Sequence, residues 1–176
     1  MATDSARNLQ RGTGVAIYVI DGRVLIRTID SDGGAPAPRT ASASIVEDFG
    51  NVEAEQIGAA VLGAARDAQR LEESTQPRAS EYNASLLAET DGKYKSFRTW
   101  QRAVRHVNAA VHADRWQLTR LHPDLKGGWT TARASDPAHA DYPQRFDLQL
   151  YADADELGDA VMQLLAEPSL RENIGH

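Results

Sequence analysis

The chain has 176 residues, of which 41% are hydrophobic and 25% charged, with a formal net charge of −6 and no cysteine. That size suits one domain with a core that stands without cross-links, and the missing thiols exclude disulfides, thiolate metal sites and a cysteine nucleophile. The longest apolar run, residues 15–20, falls far short of the roughly 20 residues that a membrane helix needs, and the polar start Met-Ala-Thr-Asp-Ser-Ala-Arg lacks the apolar centre of a signal peptide, so a cytoplasmic location is expected.

Residues 1–12 read as a polar, flexible lead-in. Two β-rich runs follow, Val-Ala-Ile-Tyr-Val-Ile at 15–20 and Arg-Val-Leu-Ile-Arg-Thr-Ile at 23–29, joined by Asp21-Gly22. Asp-Gly between such runs predicts a two-residue type I′ hairpin, because both turn positions need positive φ. The second strand places Arg23, Leu25, Arg27 and Ile29 on one face and Val24, Ile26 and Thr28 on the other. Both faces are partly apolar, which puts the hairpin inside a sheet. Residues 30–40 form a Gly- and Pro-rich loop, and a short strand is expected at 42–46. A helix is expected from Asn51 to about Glu72, with Ile57, Val61, Leu62 and Ala65 at helical spacing and Leu71 near its end. Residues 73–81 read as a loop broken by Pro77, and residues 84–88 fit either a strand or a helix.

Ser96 has the character of an N-cap. Phe97, Trp100, Val104 and Val107 fall at i, i+3, i+7 and i+10, which predicts a helix to about Asn108 with Arg98, Arg102 and Arg105 on its wet faces. Strands are expected at 109–111 and 115–121, then irregular chain over 122–145. Phe146, Leu148 and Leu150 alternate as in a strand with one buried face. Asp153 caps a final helix over 154–166, with Glu156 at capping-box spacing, and residues 168–176 read as a loose tail. The expected fold is α+β, a single domain over 13–167. A mixed or antiparallel sheet with an N-terminal hairpin is packed by three main helices near 51–72, 96–108 and 153–166.

Two segments echo each other at an offset of 100 residues: Ala-Glu-Gln-Ile-Gly-Ala-Ala-Val-Leu at 54–62 and Ala-Asp-Glu-Leu-Gly-Asp-Ala-Val-Met at 154–162. Gly58 and Gly158 each sit inside a helix, where glycine costs about 1 kcal/mol against alanine. Close approach to another element explains their presence. The echo implies two strand-then-helix units on a shared sheet.

Charge is uneven along the chain. Residues 93–120 carry seven bases (Lys93, Lys95, Arg98, Arg102, Arg105, Arg115, Arg120) against Asp114 alone, whereas residues 1–91 and 141–176 each carry a net −6. Such a pattern is complementary within one fold or builds a dipolar surface that steers a charged partner. The acidic total argues against a nucleic-acid binder.

Chemistry-bearing motifs are sparse. Gly12-Thr-Gly14 lacks a phosphate-loop ending, and no nucleophile elbow occurs. His122, Asp124 and His139 offer an acid–base or metal set in a loop of irregular spacing, the basis of a small-hydrolase reading. Surface or capping roles account for these residues more simply, so neither an enzyme nor any cofactor or metal is expected. Trp129, after Gly127-Gly128, is a lid or a contact residue.

The order of segments carries a resemblance. Tyr94-Lys95-Ser96 leads into a basic helix. Strands follow, then His122-Pro-Asp-Leu-Lys126 with Gly128-Trp129, then a strand and Asp153-Ala-Asp-Glu-Leu-Gly158 opening the last helix. A first hairpin and a helix bearing Ile57-Gly58 precede them. This arrangement resembles the immunity proteins of bacterial contact-dependent growth inhibition systems. The resemblance implies a binding function: capture and blockade, in the cytoplasm, of the C-terminal toxin domain of a cognate exoprotein, as a 1:1 heterodimer. Toxins of these systems are often nucleases directed at transfer RNA. An acidic inhibitor suits a nuclease, whose active site is electropositive. The candidate contact residues are Asp30, Asp32, Glu47, Asp48, Glu72, Glu73 and Trp129. The competing reading is a nucleic-acid-binding or regulatory module using Arg98, Arg102 and Arg105, which predicts salt-sensitive nucleic-acid binding that an immunity protein would not show.

Overall fold

The computed structural model describes residues 13–30, 37–38, 44–46, 48–70, 79–133 and 135–174. Residues 1–12, 31–36, 39–43 and 71–78, on which the expected lead-in and most of the two expected loops fall, lie outside them. The hairpin forms as expected: β1 (Thr13–Ile20) pairs antiparallel with β2 (Arg23–Asp30). Its turn residues Asp21 and Gly22 have φ of 51° and 77°, the type I′ requirement. The short strands β3 (Ala37–Pro38) and β4 (Ser44–Val46) both pair with β2. β5 (Arg105–His112) pairs with β1 and with β6 (Arg115–Pro123). β6 then takes β7 (Trp129–Thr130) and β8 (Arg145–Gln149). Every ladder among the described residues is antiparallel, in the order β3-β2-β1-β5-β6-β7 with β4 beside β2 and β8 beside β6.

Helices cover both faces of this sheet. On one face lie α1 (Ala54–Arg70) and α4 (Ala154–Leu165). Their Ile57, Val61, Leu62, Leu157, Val161, Leu164 and Leu165 pack on Val15, Ile17, Val24, Ile26, Val107, Ala109, Trp116 and Leu118. On the other face lie α2 (Ala79–Ala88) and α3 (Phe97–Ala103). There Tyr82, Leu86, Tyr94 and Trp100 meet Ala16, Tyr18, Ile20, Leu25 and Ile29. The two-faced β2 foreseen from its alternation therefore splits its side chains between two cores. Arg23 and Arg27 fasten α2 by donating to the Glu89 carbonyl at 2.8 Å and the Ser85 hydroxyl at 2.6 Å.

Two expectations need correction, and one left open is settled. The helix after Ser96 ends at Ala103, and residues 105–108 belong to β5. Ser96 does cap it, in a capping box with Thr99. Val104 and Val107 continue the helical spacing of Phe97 and Trp100, which outweighed the alternation of Val107, Ala109 and Val111 along β5. Residues 84–88, open between strand and helix, are helical within α2. The segment expected as a loose tail contains α5 (Leu170–Ile174), held by a bidentate pair from Arg105 to Glu172 at 2.9 and 3.1 Å.

The sequence echo is structural. Each half of the domain runs hairpin, returning strand, helix: β1-β2-β4-α1 and β5-β6-β8-α4. The two helices cross where a Cβ on Gly58 would overlap the Ala154 carbonyl and a Cβ on Gly158 would overlap the Ala54 carbonyl. These contacts are reciprocal, as across an approximate twofold axis, and the central strands β1 and β5 run antiparallel about it.

Alanine substitution tests this crossing. Gly58→Ala and Gly158→Ala are each expected to cost about 2–3 kcal/mol, the backbone overlap outweighing the gain in helix propensity. Gly63→Ala, in the same helix with nothing within 4 Å of its added carbon, is expected to stabilise by up to about 1 kcal/mol. Urea denaturation measures all three; a neutral Gly58→Ala would contradict the backbone contact.

Candidate functional site

Of the contact candidates, Asp32, Glu47, Glu72 and Glu73 lie outside the described residues. Asp30 ends β2, paired with Thr13 and Ala37. Asp48 lies at the other end of that strand, exposed and in a left-handed conformation with φ 68°, its carboxylate accepting from Asn51 Nδ2 at 2.6 Å. The next amide, of Phe49, donates to the Gly22 carbonyl at 2.5 Å. The seven steps from Arg23 to Asp30 span about 23 Å of strand, so these two acids do not form one patch.

The structure gathers a different set. The crossing at Gly58 and Gly158 sets the first turn of α1 against the first turn of α4. Glu53, Glu55, Asp153, Asp155, Glu156 and Asp159 are all exposed there. The chain has no Lys or Arg at 52–65 or 146–170, so no cation from these segments offsets them. Several of these carboxylates also suit the positive ends of their helices, and Asp153 and Glu156 close the capping box on α4. The signal for this face was present in the echo, which aligns Glu55 with Asp155.

The basic segment disperses. Arg98 and Arg102 are exposed on α3, but Arg105 sits on β5, donating to the Leu165 carbonyl at 2.9 Å and to Glu172. Lys93 pairs with Asp21 at 2.5 Å. Complementarity within the fold thus absorbs part of the charge asymmetry. A cleft of about 730 Å³ remains, lined by Lys93, Tyr94, Lys95, Thr99, Arg102, Leu170 and Arg171.

Trp129 is half-buried over the second core, its ring centroid 4.5 Å from His106 and 6.5 Å from Trp100. Gln101 Nε2 positions its loop by donating to the Gly128 carbonyl at 2.6 Å. His106 lies beneath it, fully buried, 4.3 Å from the Tyr18 ring, with neither ring nitrogen hydrogen-bonded. Burial, aided by the Arg120 cation, pushes its pKa down to about 3.

The His122, Asp124 and His139 set is only partly assembled. Asp124 is engaged in its own turn, accepting from the amides of Lys126 and Gly128 at 2.8 and 2.7 Å. His122 and His139 do meet, ring centroids 4.2 Å apart. Their third partner is Glu167, buried at the end of α4 and bonded to His139 Nδ1. Gln144 bridges the group: its Oε1 lies 2.8 Å from His122 Nε2, and its Nε2 donates to Glu167 at 2.7 Å. Burial holds His122 below the ordinary imidazole range, against the opposing pull of Gln144 and Glu167.

The fold has solved counterparts. A chain of the CdiA-CT/CdiI toxin and immunity complex from Yersinia pseudotuberculosis superposes with a TM-score of 0.63 at 10% identity, covering 88% of this chain and 95% of that one. A protein of unknown function from Neisseria meningitidis gives 0.63 at 16% identity, covering 89% and 96%. The sequence matches no family model and no curated protein. The chain therefore has the fold expected from the resemblance, that of a chain in a contact-dependent growth inhibition toxin–immunity complex.

His106 makes stability pH-dependent. Its folded pKa lies below the ordinary value of 6.5, so the unfolded chain binds the extra proton between the two values. Stability from this source is complete above about pH 6.5 and falls as pH drops toward 3, with a limiting slope of about 1.4 kcal/mol per pH unit. Denaturant titrations from pH 7 to 4.5 should show a steeper decline for wild type than for His106→Phe; parallel declines would contradict a buried neutral imidazole.

Proposed function

We propose that this protein is an immunity protein of a contact-dependent growth inhibition system. In the cytoplasm it binds the toxin domain at the C-terminus of a cognate exoprotein, one to one, and covers that domain's active site. It acts by occupancy rather than by catalysis. The observation that carries this reading is the shared fold with a chain of a CdiA-CT/CdiI toxin and immunity complex over nearly the whole of both chains.

Surface chemistry supports it. A nuclease toxin holds phosphates with cations, and a carboxylate-rich face is complementary to such a site. The exposed acids at the α1–α4 crossing supply one such face. Asp30, Asp32, Glu47, Asp48, Glu72 and Glu73 supply further acids, and Trp129 supplies an aromatic anchor. In this reading the protein does not itself bind nucleic acid. The cationic cleft beside Arg102 favours the second reading, a nucleic-acid module, which predicts retention of RNA or DNA at low salt and release at high salt.

Co-expression with the toxin domain encoded beside this gene tests the proposal. Wild type is expected to restore growth, and failure to do so would overturn it. Where the complex forms, Glu55→Lys with Asp155→Lys is expected to slow association about tenfold at low ionic strength, with the gap narrowing in salt. An association rate unchanged by this pair would place the contact away from the helix crossing, and the same reversal at Asp48 then tests the far end of β2.

A further inference from the structure

We infer that His122, His139 and Glu167 form a binding site for one d-block divalent cation of the Zn²⁺ class. The three residues come from separate parts of the fold: β6, the 3-10 turn Pro137–His139 and the chain just past α4. One ligand atom from each, two imidazole nitrogens and a carboxylate oxygen, all lie within 4.8 Å of one another. His122 Nε2 and Glu167 Oε2 are 3.7 Å apart, close to the span of about 3.4 Å between neighbouring ligands of a tetrahedral ion at about 2.1 Å. Small side-chain rotations complete the set.

The surroundings are those of a built site. Glu167 is 2% exposed and His122 9% exposed, so packing limits these two donors to small movements. Gln144 Oε1, 2.8 Å from His122 Nε2, is near enough to serve as a fourth, oxygen ligand. His139 reaches Glu167 through Nδ1, while its other ring nitrogen lies 3.6 Å from Asp136 Oδ2. A carboxylate behind a ligating imidazole is the usual outer-shell support for such a ligand. Two imidazoles with one carboxylate favour Zn²⁺ or Co²⁺ over Mg²⁺ or Ca²⁺, which take oxygen shells. Arg120, nearly fully buried and interacting electrostatically with Glu167, opposes added positive charge and weakens binding. The ion would pin the 136–144 segment to the end of α4.

The test uses the full chain, free of any histidine tag and without a toxin, so its outcome is independent of the proposed function. Calorimetric titration with Zn²⁺ is expected to give one equivalent, and saturation is expected to raise the thermal midpoint by about 5 °C. Co²⁺ loading should give visible absorption of a tetrahedral nitrogen–oxygen site. Glu167→Gln and His139→Gln should each abolish both signals, and His112→Gln at the end of β5 should retain them. His139 sits on a surface turn, so its variant stays informative where the buried one fails to fold. No saturable uptake at about 100 µM Zn²⁺, or undiminished uptake by His139→Gln, would overturn the site.

Discussion

The crossing of α1 and α4 is the constraint on which the rest of the domain depends. At Gly58 and Gly158 a side chain would overlap the facing backbone, and glycine lets the two helices touch there. Both helices can then lie on one face of a single sheet, α1 over β1 and β2 and α4 over β5, β6 and β8. The first core closes beneath them. The same approach gathers the acids of both first turns, and it fixes where α4 ends. At that end Arg105 meets the Leu165 carbonyl, Arg120 the Leu164 carbonyl, and Glu167 turns back toward the two histidines.

What was legible in the sequence was local. The Asp21-Gly22 hairpin, the Ser96 and Asp153 caps and the amphipathic α1 and α4 each depend on residues a few positions apart, and each forms close to where its pattern put it. The echo was legible too, because a glycine retained inside a helix needs a reason, and here the reason is another backbone. The α3–β5 boundary was not. β5 does alternate, with Val107, Ala109 and Val111 facing the first core and His106 the second, but Val104 and Val107 also continue the helical spacing of Phe97 and Trp100, and that pattern masked the strand.

The sites show the same limit. His122 and His139 stood out by residue type, but the partner that joins them comes from 28 positions beyond His139. Asp124, the acid nearest His122 in sequence, is engaged in turn formation. Arg105 looked like part of a solvated cationic stripe. Its strand instead turns it toward α5, where it offsets Glu172 and caps α4. A residue's partner across the sheet is set by topology, which no window of sequence around it encodes.

Fold likeness at 10% identity, here spanning nearly the full length of both chains, speaks to architecture, while the binding proposed for this chain would rest on surface residues that such distant chains need not share. The most direct measurement of the proposed function mixes this purified protein with the toxin domain that the proposal pairs it with and follows that domain's activity. A stoichiometric inhibitor predicts a linear fall to zero at one equivalent; activity that persists at several equivalents, with the protein folded, would contradict the account.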